Sequence, residues 1–185
     1  MTERERRLID RILDPSYTRD VGSRPLEELR TMREECKESE TELSFERRLC
    51  HARIDILTAE LERRETGGRS GDLLARLPQI LADEESGQPH RTASGLLPER
   101  APDFSTPRSA SSPRRRVDDI LGEGTLARLP KMPPEEITVI IASLDEHERM
   151  LSGRRKDVHE VMDSVQSEIV RRYTSGEVHP SASAR

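Results

Sequence analysis

Apolar residues recur at helical spacing in three stretches of this chain, separated by polar intervals. From Glu3 to Leu13, residues Leu8, Ile9, Ile12 and Leu13 fall on one face, which predicts a short amphipathic helix ended by Asp14-Pro15. After Ser23, a candidate N-cap, residues Leu29, Cys36, Leu43, Cys50 and Leu57 repeat every seven positions until Thr66-Gly67-Gly68. From Pro134, with Glu135 and Glu136 in the first turn and Gly176 beyond the end, Ile137, Leu144, Leu151, Val158 and Val165 repeat in the same way. The pattern predicts an all-α fold: a long two-helix coiled coil with a short N-terminal helix and a disordered interhelical linker. The boundaries read as 1–14 for the short helix, 24–65 and 133–174 for the coiled-coil helices, 66–132 for the linker and 175–185 for a disordered tail.

A second register accompanies each seam, and it turns polar midway. In the first helix it runs Leu26, Arg33, Glu40, Arg47, Ile54 and Leu61; in the second, Ile141, Glu148, Arg155, Met162 and Ile169. A displacement of 108 positions carries one ladder onto the other, and with it the pattern Glu40, Ser44, Arg47, His51, Asp55 onto Glu148, Ser152, Arg155, His159, Asp163. Steps of three and four put each set on one helical stripe. Helices of about 40 residues are roughly 60 Å long, with the motif near the middle. An antiparallel pair therefore brings the two stripes together, although parallel packing or pairing between chains satisfies the same pattern.

Charges at a seam must be paired or pay heavily in desolvation. Reciprocal Arg–Glu pairing that sets helix register is one solution, and a structural coiled-coil adaptor is the corresponding function. A bound ligand is the other. Arginine donates in pairs to a guanine edge or a phosphate and stacks on bases, serine donates to phosphate, and carboxylates accept from guanine ring and amino groups. Two stripes related by a pseudo-twofold axis favour a ligand with twofold symmetry of its own. Catalysis finds little support, because the chain shows no nucleophile elbow, glycine-rich phosphate loop or zinc-ligand spacing. The arginines around His51 and His159 also disfavour a metal.

Composition narrows the rest. Apolar residues make up 32% of the chain, with no Trp, two Tyr and two Phe, so no thick core is expected. The 36 acidic against 31 basic residues leave a net charge of -5 and no general basis for nucleic-acid binding, so no direct DNA contact is expected. The basic cluster Arg114 to Arg116 reads as solvated linker, with phosphate contact as the lesser alternative. Within the linker, Asp72 to Ala82 has helical spacing, and Leu74-Ala75-Arg76-Leu77-Pro78 returns as Leu126-Ala127-Arg128-Leu129-Pro130. No run approaches the roughly 20 apolar residues of a membrane span. The opening MTERERR leads into LIDRIL rather than a signal-peptide core, so a cytoplasmic protein is expected. Cys36 and Cys50 lie roughly 21 Å apart along a helix and cannot bridge each other within it, which leaves reduced thiols.

At the doubled stripe the chain resembles the RsiG family, the actinobacterial anti-sigma factors known in streptomycetes that need cyclic di-GMP to hold the WhiG-type, flagellar-type sigma factor of sporulation. The family pattern, Glu-x3-Ser-x2-Arg-x3-Gln-x3-Asp carried twice on an antiparallel coiled coil, is met by Glu40, Ser44, Arg47 and Asp55 and by Glu148, Ser152, Arg155 and Asp163. His51 and His159 stand where the family has Gln. The resemblance implies an antiparallel pair and an intercalated cyclic di-GMP dimer across it. Arg47 and Arg155 would read guanine or phosphate, and Asp55 and Asp163 would accept from guanine. Ser44 and Ser152 would serve phosphate or ribose; Glu40 and Glu148 would bind the ligand or orient the arginines. It also implies that the sigma factor is held by the outer faces of the long helices and by the N-terminal helix, with Leu8, Ile12 and Leu13 as contacts. The plainer reading of that short helix is a terminus packed on the main pair.

Overall fold

The computed structural model describes residues 3–67, 106–107, 110, 115–122 and 124–177; the segment at 72–82 lies outside them. The regular structure is helical: α1 (Glu3–Ile12), α2 (Leu26–Glu65), α3 (Arg116–Leu121), α4 (Thr125–Arg128) and α5 (Pro134–Thr174), with single 3-10 turns at Val21–Ser23 and Leu129–Lys131.

Both long helices follow from local chemistry. Each carries acid in its first turn (Glu27 and Glu28; Glu135 and Glu136) and arginine in its last (Arg63 and Arg64; Arg171 and Arg172), matching the helix dipole at both ends. Pro25 and Pro133 occupy the cap positions in extended conformation. Ser23 is not the cap of α2: it sits in the preceding 3-10 turn, where its hydroxyl donates to the Asp20 carbonyl. The proline conformation starts the helix instead.

α2 and α5 are antiparallel. Partners on α5 fall in number as those on α2 rise: Arg30 reaches Tyr173, Glu40 meets Arg155, Arg47 meets Glu148, and Arg64 reaches the Leu129 and Met132 carbonyls just before α5. The seam is the register read from the sequence. Leu29, Cys36, Leu43, Cys50 and Leu57 are fully buried against Ile137, Leu144, Leu151, Val158 and Val165. Burial pushes the Cys36 thiol up to about 11 and that of Cys50 to about 12, so both stay protonated as small apolar groups.

The seam has two unlike flanks. On the front lies the mixed register of Glu40 and Arg47, half-buried. On the rear lies a stripe the sequence did not reveal: Met32, Ser39, Glu46 and Glu60, seven residues apart or a multiple of it, all buried. The short helices reach this rear side. α1 buries Ile9 and Ile12, its Asp10 pairs with Arg154, its Arg11 pairs with Glu35 at 2.7 Å, and Tyr17 beyond it donates to Glu35 at 2.7 Å. α3 buries Val117 and Leu121. Part of the stretch expected to be linker is thus helical and packed: α3, α4 and the 3-10 turn at Leu129–Lys131 lie within it, with Val117, Leu121, Thr125 and Leu129 buried.

The duplication extends past the long helices. Arg172 donates to the Val21, Gly22 and Arg24 carbonyls, while Arg64, at the matching position, donates to those of Leu129 and Met132. Each arginine is held one turn back by a glutamate, Glu168 or Glu60. Val21 and Leu129 match and are both buried, as do Ile9 of α1 and Val117 of α3. A unit of short helix, 3-10 turn and long helix is therefore used twice, and each long helix ends by clamping the entry of the other.

Candidate ligand site

At mid-length, the front flank brings the two stripes together in one polar cluster with twofold-related contacts. Glu148 Oε1 accepts from Arg47 Nε at 3.0 Å across the seam and from Ser152 Oγ at 2.7 Å on its own helix. Glu40 Oε1 accepts from Arg155 Nε at 3.0 Å and from Ser44 Oγ at 2.8 Å. His51 Nε2 stands 3.4 Å from the same Glu148 oxygen, and His159 Nε2 stands 3.4 Å from that of Glu40. The His159 contact is within ion-pair distance, and its buried Nε2 makes no hydrogen bond. Eight of the ten residues expected from the motif thus meet, four from each helix.

Antiparallel geometry is what pairs unlike members. Because α5 runs opposite to α2, the glutamate of each stripe faces the arginine and histidine of the other, and the serine bridges one turn within its own helix. Burial alone would raise the Glu40 carboxyl, but the hydrogen bonds from Arg155 and Ser44 outweigh it and hold Glu40 below the usual carboxylate range. Burial likewise works against the Glu148 carboxylate, and Ser152 and Arg47 overcome it. Two carboxylates and two guanidiniums thus balance in a patch where the arginine side chains keep 28% and 30% of their exposure. Those arginines are within reach of an arriving anion without unfolding.

The remaining expected residues lie outside this cluster. Asp55 and Asp163 stand one turn beyond the histidines, Asp55 half-buried and Asp163 exposed. Of the three residues expected to touch a protein partner, Ile12 is sealed in the core, and Leu8 and Leu13 are half-buried against it. The apolar face of α1 therefore serves the fold first.

A second polar network, on the rear flank, was not legible in the sequence. Arg115 Nη1 donates to Glu42 Oε1 at 2.7 Å and stands 3.7 Å from Glu46 Oε2, with its guanidinium 4.8 Å from the centre of the Phe45 ring. His147 Nε2 is 3.1 Å from Glu46 Oε1. Burial raises the Glu46 carboxyl, and the His147 hydrogen bond is the largest of the effects that bring it net below the usual range. Arg115 therefore corrects the expectation of a solvated basic cluster: it is buried at the start of α3, while its neighbour Arg116 is exposed. The one available signal was that Glu46 and His147 each fall three residues after a fully buried seam residue, Leu43 and Leu144.

Among the described residues, no group of three or more His, Cys, Asp and Glu is placed to hold a metal ion. No described helix is long and apolar enough to cross a membrane. No curated protein matches the chain. A family model described as RsiG-like matches residues 15–81, a span that begins after α1 and contains all of α2 with the first stripe. Over residues 15–81, about a third of the chain, it is similar to that family, and the second stripe lies outside the matched span.

Proposed function

We propose that this protein is an anti-sigma factor that senses cyclic di-GMP, a binding protein rather than an enzyme, and that it holds a WhiG-type, flagellar-type sigma factor away from transcription. The observation that carries the reading is the doubled Glu–Ser–Arg–His cluster, written with one chemistry on both helices and half-open on the front of the coiled coil. The RsiG-like match over the first stripe supports it. An intercalated cyclic di-GMP dimer has a twofold axis and two faces of guanine and phosphate, so it engages both stripes equally. Arg47 and Arg155 turn from the glutamates to guanine or phosphate, Ser44 and Ser152 serve phosphate or ribose, and Asp55 and Asp163 at the ends accept from guanine.

A ligand that bridges the helices stiffens the pair. Tighter sigma binding in its presence then requires, by linkage, tighter ligand binding in the presence of sigma. The sigma factor is held by the outer faces of the long helices and by α1, which presents Leu8 and Leu13 at its edge while Ile12 anchors it. Calorimetry with cyclic di-GMP tests the first half: saturable uptake by the native chain, lost in the Arg47→Ala, Arg155→Ala double variant, is expected. Absence of uptake with and without a sigma partner would sink the reading. For the second half, sigma affinity should rise with ligand and lose that rise in Asp55→Asn, Asp163→Asn.

A second reading has its own observation. Glu40–Arg155 and Glu148–Arg47 already pair without a ligand, which is the geometry of a register lock in a structural adaptor. The same calorimetry separates the two, since a lock alone takes up no nucleotide.

A further inference from the structure

We propose that His51 and His159 are the counter-ions that take over Glu148 and Glu40 when an anionic ligand draws the arginines away, so that ligand binding is coupled to proton uptake at these two imidazoles. This rests on the ligand reading above. The geometry is specific. Each glutamate oxygen has three nitrogen or oxygen groups around it: an arginine donating at 3.0 Å, a serine donating at 2.8 or 2.7 Å, and an imidazole nitrogen standing at 3.4 Å. Neither glutamate is well solvated, with side-chain exposures of 12% for Glu40 and 16% for Glu148.

Suppose a nucleotide with two or more phosphates enters the front flank and takes Arg47 and Arg155. Each glutamate then keeps one serine hydroxyl and loses its cation in a largely desolvated place, which is costly. The nearest group able to become a cation is the imidazole already 3.4 Å away. Imidazole is the side chain whose ordinary charge change falls between about pH 5 and 8. Across the seam His51 stands against Glu148 and His159 against Glu40; on their own helices, helical spacing sets Arg47 one turn before and Asp55 one turn after His51, and Arg155 and Asp163 likewise about His159. Removing an arginine from such a set and leaving the carboxylates raises the proton affinity of the histidine. The proton comes from buffer, one for each imidazole, and the imidazolium formed also faces the arriving phosphates.

The sign follows from linkage. A site that binds protons along with its ligand holds that ligand more tightly at low pH, and affinity falls as pH rises through the histidine range, by up to about tenfold per unit for each proton taken up. The test is calorimetry of cyclic di-GMP binding to the full chain in buffers of unlike ionisation enthalpy, with imidazole C–H shifts followed by NMR in the same titration. Net uptake approaching two protons, with both imidazole signals moving to their protonated positions, is the expected result, and His51→Gln, His159→Gln should remove the uptake. Binding without uptake, or with unmoved imidazole signals, overturns the coupling and leaves the ligand reading standing. Uptake that persists in the double variant places the proton on Glu40 and Glu148 and also overturns it. Absence of nucleotide binding at any pH removes the ligand reading and this proposal together.

Discussion

The front and rear flanks of the same seam each carry a network of Glu, Arg and His, yet they differ in two respects. The front set is duplicated: Glu40, Ser44, Arg47 and His51 each have an identical counterpart on α5. The rear set is single, for the positions matching Glu42, Phe45, Glu46 and His147 are Met150, Gly153, Arg154 and Ser39. The front arginines are about a third exposed, whereas Arg115 and Glu46 keep side-chain exposures of 3% and 1%. Sealed charges with protein partners report on structure, since losing one partner strands the other. Duplicated, half-open charges can change partners at small cost, and that is what a ligand site requires. The comparison teaches that residue types alone do not identify a site; burial and symmetry decide between two networks of similar composition.

The widest separation between the flanks comes from their arginines. Arg115→Ala should strand Glu42 and Glu46 in the interior and lower unfolding free energy by about 3 to 5 kcal/mol, read as a fall in the denaturant midpoint. A loss similar to that of a surface pair would mean that α3 lifts away and lets water in, and hydrogen exchange of α3 would show it. Arg47→Ala, Arg155→Ala should cost only about 1 kcal/mol per site, because the arginines are partly screened and each glutamate keeps its serine and the imidazole 3.4 Å away, while abolishing cyclic di-GMP uptake. If this double variant unfolds as readily as Arg115→Ala, the front flank is a structural lock and the contrast fails.

Acid affects both flanks in the same direction. Glu40, Glu148 and Glu46 are held below their ordinary value of 4.5 in the folded chain. The stability they contribute is therefore present above that value and is lost as pH falls through their folded values. Denaturant midpoints measured downward from neutral pH should decline, and the decline should be shallower in Arg47→Ala, Arg155→Ala, which lacks the front share. A parallel decline in the two chains would assign the acid loss to the rear. The smallest effect is expected at the exposed end of the stripe: Asp163→Asn should change stability by no more than about 0.5 kcal/mol, yet weaken nucleotide binding measurably. Unchanged binding would confine the site to the eight-residue cluster.

Much of this was legible along the chain. The fully buried register from Leu29 to Leu57 and its match from Ile137 to Val165 followed from seven-residue spacing, because a fixed helical period admits one apolar line. Eight of the ten stripe residues meet because two motifs at mid-helix coincide when the helices run antiparallel. Arg115 was not legible, since a basic run beside Pro113 has the composition of a solvated linker and its burial depends on two glutamates more than sixty residues away. The role of α1 was half legible: its amphipathic face was plain, but whether Ile12 would meet a partner or the protein's own core was a question of competition between surfaces.

By itself, the sequence determined the two long helices, their seam, their mixed second register and the equivalence of the two stripes, because these depend on helical period and on identical residues at matched positions. Tertiary structure decided the rest. It chose the antiparallel pairing, in which each glutamate faces the other stripe's arginine and histidine, and it folded α3 and the turn at Leu129–Lys131 onto the coiled coil as a counterpart to the α1 end. It also sealed one polar flank and left the other half-open. The physical reason is that period is a property of one helix, whereas the partner of a charge and its distance from water are properties of everything packed around it.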